Sequence, residues 1–390
     1  MSTAGSMGPM EPRHVDALLI GGGVAAVRCA RTLRRRGFGG SILIVAEEAV
    51  APYNRPPLSK ELLRLDFPRE LIAAEPPEWY ERQRVELLTG VSVAALNPDS
   101  RLADLVDGTR LQFSQCLLAT GASPRRPPIP GAERVLLLRT VDDAEALRAR
   151  AVAGSRAVVL GGGFIGVEVA GSLASRGVHV TLLELSGGLW GGSLGQAVSD
   201  WAVGRLEAAG VEVRLRTAAT ELGAGAVLAG WERLTADFVL AGVGVAPRTE
   251  LAERAGLAVD DGVVVDESRR TSAPSVFAAG DMARPADGPR VEHWHAARES
   301  GEAAALGMLG EPPQPRRAPW VFSEFAGAKL DVVGWAPRWD DIVLRDGVHA
   351  HVLNGRVAQL AILDGAFPVE AARAFVEHGP MVSALPELFP

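Results

Sequence analysis

The fold is decided by the stretch Val15–Gly23, VDALLIGGG, a short apolar run that ends in glycines. A second stretch of the same kind, Arg156–Gly163 with the sequence RAVVLGGG, occurs much later in the chain. Each is followed by a segment rich in alanine, valine and leucine and then by another apolar run, Ile42–Val45 or Val178–Leu183. The order strand, glycine turn, helix, strand therefore occurs twice. It predicts the α/β class, with two Rossmann-type three-layer domains whose parallel sheets are covered on both faces.

The glycine turns have the spacing of dinucleotide-binding loops. Gly21, Gly23 and Ala26 form the motif in the first copy, and Gly161, Gly163 and Gly166 form it in the second. Glycines let the backbone approach a pyrophosphate, and the following helix N-terminus supplies unpaired N–H groups and the positive end of a dipole. One such motif is a weak indication, whereas two, each between a strand and a helix, predict two bound nucleotides.

An acidic residue ends the next strand in each copy. Glu47, with Glu48 beside it, follows the first apolar run, and Glu184 follows the second. A carboxylate at this place can accept hydrogen bonds from ribose hydroxyls. Glu184 would repel a 2′-phosphate, and no Arg or Lys lies between Glu184 and Trp201. The second half is therefore predicted to bind NADH in preference to NADPH.

The character of the sequence changes near residue 316, after a stretch rich in proline and arginine. A helix is predicted over Pro368–Glu377, and hairpin turns at Asp346-Gly347 and Asn354-Gly355. The strands predicted before that helix are Leu330–Val333, Asp341–Leu344, Val348–Leu353 and Val357–Ile362. This pattern is typical of a third, α+β domain.

Composition excludes several classes of protein. The net charge of −7 disfavours binding to nucleic acid or to anionic membranes. No apolar run reaches the roughly 18–20 residues of a membrane span. Residues 1–13 lack a signal-peptide pattern and are predicted to be a disordered leader on a cytoplasmic protein. The two cysteines, Cys29 and Cys116, fit a reducing compartment without disulfides, and the histidines show no metal-ligand spacing, so no metal is expected.

Several motifs together resemble one family. Pro52–Lys60, PYNRPPLSK, resembles the signature of the FAD-dependent ferredoxin reductases that serve oxygenases, a fold shared with rubredoxin reductases and apoptosis-inducing factor. The further matches are Leu117–Gly121, Gly161–Glu168, Val276–Asp281 and Val291–Trp294. The resemblance implies a glutathione reductase-like architecture. It places an FAD domain at 14–132 and 243–315, an NAD domain at 133–242 and a C-terminal interface domain at 316–390.

The resemblance also implies roles for single residues. Asp281 would hold the FAD ribityl chain, although an aspartate there can also cap a helix. Lys60 and Glu168 would form an ion pair near flavin N5, where a cation favours negative charge on the reduced flavin; the alternative is a purely structural salt bridge. The remaining expected contacts are Arg55, Val93, Thr120, Gly121 and Arg139 for FAD, Glu292, His293, Trp294 and Phe322 around the flavin edge, and Phe164, Ile165 and Gly244 for the nucleotides. Val93 could instead be core, and Arg139 an ordinary surface arginine.

Two residues depart from the family pattern, and such departures bear on the choice of acceptor. Phe322 stands where the family has its flavin-side tryptophan, and Arg248 replaces the asparagine usual after Pro247. Glutathione and lipoamide reductases use a redox-active cysteine pair, but Cys29 and Cys116 have no partner nearby in sequence. The flavin is therefore expected to hand its electrons directly to an acceptor.

The predicted function is transfer of hydride from NADH to FAD and then of single electrons to an iron–sulfur ferredoxin that supplies an oxygenase, by a monomer or homodimer. One alternative is an NADH oxidase or diaphorase that uses oxygen or a quinone. Another is an NADH-sensing interaction protein similar to apoptosis-inducing factor. Ferredoxins are usually acidic, so a basic docking patch is expected, unless the candidate arginines are merely scattered over the surface. Those candidates are Arg34, Arg35, Arg36, Arg64, Arg290, Arg316 and Arg317.

Overall fold

The structure, a computed structural model, describes residues 11–64 and 67–385. Within these ranges the α-helices are α1 Val24–Arg35, α2 Glu61–Arg64, α3 Pro77–Arg82, α4 Val141–Arg150, α5 Phe164–Ser175, α6 Gln196–Ala208, α7 Glu250–Arg254, α8 Trp294–Met308 and α9 Val369–Glu377. No helix in the described ranges has the length and apolar character needed to span a bilayer. Residues 1–10 of the predicted leader lie outside the described residues, and the first strand begins at Arg13.

The strands of the described residues follow the same chain order. They are β1 Arg13–Ile20, β2 Ile42–Ala46, β3 Val85–Thr89, β4 Val93–Asn97, β5 Leu102–Leu105, β6 Arg110–Leu118, β7 Ala122–Pro124, β8 Arg156–Leu160, β9 His179–Leu183, β10 Glu212–Arg214, β11 Ala219–Gly223, β12 Ala226–Ala229, β13 Glu232–Thr235, β14 Phe238–Ala241, β15 Val245–Pro247, β16 Val263–Val265, β17 Val276–Ala278, β18 Ala283–Pro285, β19 Trp320–Phe325, β20 Ala328–Gly334, β21 Asp341–Arg345, β22 Val348–Leu353 and β23 Arg356–Leu363.

The chain divides into two compact units, each built from three separate segments. Unit 1 comprises the residues up to Asn54, Ile72–Ala122 and Pro247–Pro315, and unit 2 comprises Arg55–Leu71, Ser123–Ala246 and the residues from Arg316 onward. The finer division of the sequence into FAD, NAD and interface domains stays a prediction.

Unit 1 is built on a sheet in which β3, β2, β1, β6 and β17 run parallel. Strands β2 and β17 are apolar and buried along their whole length, and β1 and β6 are buried at their carboxyl ends, because both faces of the sheet are covered there. Helix α1 packs against α8 at very short range: a Cβ on Gly301 would lie 2.2 Å from the Ala25 carbonyl oxygen. The antiparallel pair β4 and β5 extends the sheet on the other side of β6, an addition that the apolar pattern did not predict.

The central part of unit 2 repeats the parallel arrangement with four strands, in the order β10-β9-β8-β14. Leu160 at the end of β8 lies opposite Leu183 at the end of β9, so the turns after both strands meet at one sheet edge. The segment between β10 and β14 forms a separate antiparallel sheet of β11, β12 and β13. This small sheet was not predicted either.

The C-terminal part of unit 2 is an antiparallel five-stranded sheet in the order β19-β20-β23-β22-β21, followed by α9. The four predicted strands and the helix are present. Both predicted hairpin turns are confirmed, with Asp346 and Gly347 at φ 46° and 80° and Asn354 and Gly355 at φ 52° and 72°. Two successive positive φ angles are the geometry of a tight two-residue hairpin, and asparagine, aspartate and glycine tolerate it best.

Candidate functional site

The first glycine loop lies between β1 and α1 in unit 1. Gly21 has a φ of +128°, and a Cβ there would lie 2.1 Å from the Ala119 carbonyl oxygen, so only glycine fits. Helix α1 starts directly after Gly23, which brings no side chain to the helix N-terminus. The third position of the motif, Ala26, is fully buried. The loop therefore presents backbone N–H groups and no bulk, as a pyrophosphate requires.

The two acidic residues after β2 have different partners. Glu47 Oε2 lies 2.6 Å from Arg248 Nη1, and Glu48 Oε2 accepts a hydrogen bond of 2.5 Å from the Tyr53 hydroxyl. The bond from Arg248 holds the pKa of Glu47 below its ordinary value. Both carboxylates are candidates to accept hydrogen bonds from the ribose hydroxyls. Arg248, which departs from the family pattern, contacts Glu47.

Backbone contacts fix the other predicted FAD residues of unit 1. Thr120 Oγ1 donates to the Arg248 carbonyl at 2.9 Å, and Arg248 N donates to the Gly121 carbonyl at 2.9 Å. Asp281 lies in a short 3₁₀ turn after β17, where its carbonyl accepts from Arg290 Nη1 at 3.0 Å. Val93 packs against the hydrophobic core, which favours its interpretation as a core residue.

The segment from Glu292 to Trp294 leads into α8. Glu292 pairs with Arg290, and burial nevertheless raises its pKa above the ordinary value of a glutamate. His293 is the N-cap of α8, and its ring accepts from the His295 N–H. Trp294 Nε1 donates to Asn54 Oδ1 at 2.9 Å. These side chains are fixed by contacts within unit 1.

The second glycine loop, between β8 and α5 in unit 2, is tightly packed at both its first and its third glycine. Gly161 has a φ of +98°, and a Cβ on it would lie 2.5 Å from the Gly242 carbonyl oxygen. A Cβ on Gly166 would lie 1.9 Å from the Gly161 carbonyl oxygen. Helix α5 starts at Phe164, directly after Gly163. Gly244, also at positive φ, accepts a hydrogen bond from Arg125 N at 2.9 Å.

Glu184 closes this loop from the end of β9. Its Oε2 accepts from Gly162 N at 2.6 Å, and its Oε1 accepts from both Ser186 N and Ser186 Oγ at 2.7 Å. The carboxylate is therefore held beside the glycine loop, where the sequence predicted a ribose acceptor. Ile165, the second residue of α5, is 40% exposed and free to face a ligand.

Lys60 and Glu168 form a buried ion pair in unit 2, with 2.7 Å between Nζ and Oε2 and side-chain exposures of 6% and 4%. Glu168 also accepts hydrogen bonds from the hydroxyls of Ser59 and Ser323, the latter at 2.8 Å. Ser172 Oγ in turn donates to the Ser59 carbonyl at 2.7 Å. The sequence predicted the pair through the family resemblance but assigned no role to either serine: Ser59 lies within the Pro52–Lys60 motif, whereas Ser323 lies outside every motif.

Phe322 lies beside this ion pair. The Lys60 ammonium is 5.5 Å from the centre of its ring, within cation–π range. Arg55 donates to the Arg139 carbonyl, so these two predicted residues are also neighbours. Unit 2 thus contains two groups of predicted residues: the neighbours Arg55 and Arg139, and the cluster of Lys60, Glu168 and Phe322.

Both loops fit the predicted nucleotides because each has a first glycine whose Cβ would overlap a backbone carbonyl and a glycine as the N-cap of the following helix. A family model described as pyridine nucleotide-disulphide oxidoreductase matches residues 15–301, which is well over half of the chain. The chain belongs to this family.

Individual family members resemble the chain over most of its length. Rhodocoxin reductase of Rhodococcus erythropolis is 35% identical over 87% of this chain and 83% of that protein. The anthranilate 1,2-dioxygenase system ferredoxin–NAD(+) reductase component of Burkholderia cepacia is 33% identical over 93% and 94%. A chain in the crystal structure of the covalent putidaredoxin reductase–putidaredoxin complex is 32% identical, with a TM-score of 0.89 and coverage of 94% and 93%. The comparisons confirm the predicted family, fold class, enzyme class and FAD–NAD(H) cofactor pair.

The chain differs from the disulphide chemistry in the family's description. Its two cysteines, Cys29 in α1 and Cys116 in β6, are both free and fully buried. Burial raises the pKa of both thiols far above the ordinary value, so thiolate chemistry is disfavoured. Both cysteines belong to the hydrophobic core of unit 1.

Most of the arginines proposed for a basic docking patch have partners within their own unit. Arg34 donates to the carbonyls of Phe38, Gly40 and Gln83, at 2.6 to 2.7 Å. The ion pairs are Arg35–Glu302, Arg36–Glu311, Arg64–Glu61, Arg290–Asp261 and Arg317–Glu370. A paired arginine adds little net positive potential, so the structure favours scattered, locally neutralised arginines over one strong patch.

Proposed function

We propose that the chain is an FAD-dependent NADH:ferredoxin reductase, in which electrons pass from NADH to FAD and then singly to an iron–sulfur ferredoxin that supplies an oxygenase. The first glycine loop would bind FAD and the second would bind NADH. FAD accepts two electrons as hydride and can release them one at a time, which suits a one-electron acceptor. A cytoplasmic protein acting as a monomer or homodimer belongs to the same proposal.

One observation carries the proposal among members of this family: neither cysteine can form a dithiol relay. Cys29 and Cys116 are buried and free, and they are the chain's two cysteines. Electrons on the flavin must therefore leave directly. The predicted role of the Lys60–Glu168 pair near flavin N5 rests on the resemblance and on the pair's burial; Glu168, held by two serine hydroxyls, would keep the ammonium in place.

Stopped-flow kinetics test the proposal in two stages. The FAD-loaded protein is first mixed anaerobically with NADH while flavin absorbance is followed, and the reduced protein is then mixed with a small acidic [2Fe–2S] ferredoxin. We expect fast flavin reduction and fast ferredoxin reduction. The double variant Cys29→Ala/Cys116→Ala is the matched control, and it should keep both rates within about twofold because no electron passes through a thiol.

The same mixing experiment, repeated in air-saturated buffer with oxygen uptake recorded, separates the alternatives. Rapid oxygen consumption with ferredoxin rates at background would support an NADH oxidase. A slowly reduced flavin that persists as a charge-transfer complex with NAD+ would support an NADH-sensing interaction protein. Because most candidate arginines are paired, we expect ferredoxin reduction to slow only modestly with salt, unlike association steered by an open basic patch.

A further inference from the structure

The segment between β9 and α6 contains a buried tryptophan in an unusual backbone conformation. The stretch Gly187–Gly195, GGLWGGSLG, has five glycines. Trp190 within it has φ 54° and ψ 29°, in the left-handed region, and is 7% exposed. A large aromatic side chain is thus buried inside unit 2 within a glycine-rich segment.

Trp190 is attached to the second glycine loop on two sides. Its backbone N donates to the Gly162 carbonyl at 2.8 Å. Its ring lies 5.9 Å from the ring of Phe164, the first residue of α5, and 6.0 Å from the ring of Phe325. Its neighbour Leu189 closely approaches Gly162, where a Cβ would meet Leu189 Cδ2 at 2.6 Å. The indole therefore lies beside the loop and helix start that would bind a dinucleotide.

The indole N–H of Trp190 has no hydrogen-bond partner among the described residues, although the atom is buried. Two other tryptophans show the usual arrangement: Trp294 Nε1 donates to Asn54 and Trp320 Nε1 donates to Asp331, both at 2.9 Å. Buried donors are almost always paired, and an unpaired donor destabilises the protein. Because this unpaired donor lies next to a nucleotide-binding loop, a ligand oxygen is a candidate for its partner.

We propose that the Trp190 indole N–H donates a hydrogen bond to a pyrophosphate or ribose oxygen of NADH bound on the second glycine loop. The oxygens of the diphosphate–ribose part are favoured because Trp190 contacts Gly162 and Phe164, which flank the helix start where a pyrophosphate binds. Phe164 and Phe325 fix the plane of the indole. The assignment rests on the proposed function for the identity of the nucleotide.

The variant Trp190→Phe tests the proposal, because phenylalanine keeps an aromatic ring and removes the N–H. Binding of NAD+ and of ADP-ribose to the oxidised, FAD-loaded protein is measured by calorimetry, and the thermal midpoint of the nucleotide-free protein is measured separately. We expect about tenfold weaker binding of both ligands, the size of one hydrogen bond to a charged or polar oxygen. The midpoint without nucleotide should stay unchanged or rise, since an unpaired donor is removed.

Trp320→Phe is the matched control. It removes an indole N–H that already has an acceptor on Asp331, so it should lower the thermal midpoint and leave NAD+ affinity unchanged. Indole NMR of the ¹⁵N-labelled wild-type protein adds a readout that needs no stable variant: the Trp190 Hε1 signal should move downfield with NAD+.

Three results would overturn the assignment. They are unchanged affinity in Trp190→Phe, a loss for NAD+ with none for ADP-ribose, and a fall in the nucleotide-free midpoint like that of Trp320→Phe. Failure of the proposed function looks different. If the wild-type protein did not bind NAD+, both the proposed function and the assignment would fail. If it bound NAD+ but did not reduce a ferredoxin, the proposed function alone would fail, and Trp190→Phe would still weaken NAD+ binding.

Discussion

The two glycine loops share a backbone conformation at their first glycine but differ in whether the third position of the motif can hold a side chain. In both, the first glycine takes a positive φ and approaches a carbonyl of a neighbouring segment, with virtual Cβ distances of 2.1 Å at Gly21 and 2.5 Å at Gly161. The third position differs: Ala26 is accommodated in the first loop, whereas a Cβ on Gly166 would overlap the Gly161 carbonyl. The second helix therefore packs closer to its own loop, so a repeated motif need not mean repeated packing.

The helices that follow the loops differ more strongly at their fifth residue. In α1 this residue is Arg28, which pairs with Glu302 at 3.0 Å with side-chain exposures of 22% and 32%. In α5 it is Glu168, which is almost fully buried with Lys60 and two serine hydroxyls. The same position thus supports a half-exposed ion pair in one half and a buried polar cluster in the other.

The largest expected effect contrasts these two positions. Glu168→Ala leaves the Lys60 ammonium buried without its counter-charge, and we expect the free energy of unfolding to fall by about 3–5 kcal/mol. Arg28→Ala removes one partner of a half-exposed pair and should cost about 1 kcal/mol or less. Urea unfolding of both variants measures the difference.

A double variant gives this contrast a control. Glu168→Leu with Lys60→Met removes both charges together, and replacement of a buried ion pair by apolar groups is often near neutral. We expect the double variant to recover much of the stability lost in Glu168→Ala. Equal losses in the two single variants of the contrast would show that the burial difference between the halves has no energetic weight.

The next effect concerns the third position of the motif. Gly166→Ala forces a methyl group into the Gly161 carbonyl, and overpacking of this kind costs about 1–3 kcal/mol. The reverse exchange in the first half, Ala26→Gly, should cost about 1 kcal/mol through helix propensity and about 0.8 kcal/mol through loss of a buried methyl group. Gly166→Ala should also weaken NAD+ binding, measured by calorimetry, whereas Ala26→Gly should leave it unchanged. Wild-type NAD+ affinity in Gly166→Ala would contradict the expected role of this close packing in NAD+ binding.

The repeat could be predicted from sequence because it depends on local features. Glycine spacing, apolar runs and the acid after each second strand all lie within short segments, and Glu184 indeed lies beside its loop. The two hairpin turns were predictable for the same reason, since Asp-Gly and Asn-Gly tolerate the required φ angles.

The missed features depend on long-range contacts. Ser323 and Glu168 are hydrogen-bonded although they are 155 residues apart in the sequence, and the residues next to either one do not predict this bond. Trp190 looks like an ordinary loop residue until the structure buries its indole. The ion pairs that Arg290 and Arg317 form with carboxylates could not be predicted either, because the sequence does not show which acidic residues lie close to an arginine in the fold.

The third prediction separates the nucleotides bound by the two halves. Glu184→Ala removes the proposed ribose acceptor of the second loop, and we expect roughly tenfold weaker NAD+ binding with unchanged FAD content. Glu47→Ala should lower FAD retention and leave NAD+ affinity unchanged. Absorbance after gel filtration measures the FAD content and calorimetry measures the NAD+ affinity. If Glu184→Ala released FAD, the assignment of nucleotides to the halves would be reversed.

The smallest expected effect concerns Arg248, where the chain departs from its family. Arg248→Asn removes the partner of Glu47, and because the two side chains are 40% and 56% exposed, we expect a loss of only about 0.2–1 kcal/mol near neutral pH. Glu47 has a lowered pKa in the folded protein because of the bond from Arg248. Its contribution is therefore present above the unfolded pKa of a glutamate, about 4.3, and is lost as pH falls through the folded value.

The difference in stability between wild type and Arg248→Asn should therefore shrink as pH falls from neutrality through that range. Urea unfolding at a series of pH values measures it, with Arg110→Asn as the control, since Arg110 forms a comparable exposed pair with Asp104 in unit 1. A difference that stays constant down to low pH would mean that Arg248 stabilises the protein through packing. In that case the two halves would differ at their acidic residues through packing and not through charge. Glu47 would then be free to bind a ribose, whereas Glu184 is held beside its own loop by hydrogen bonds.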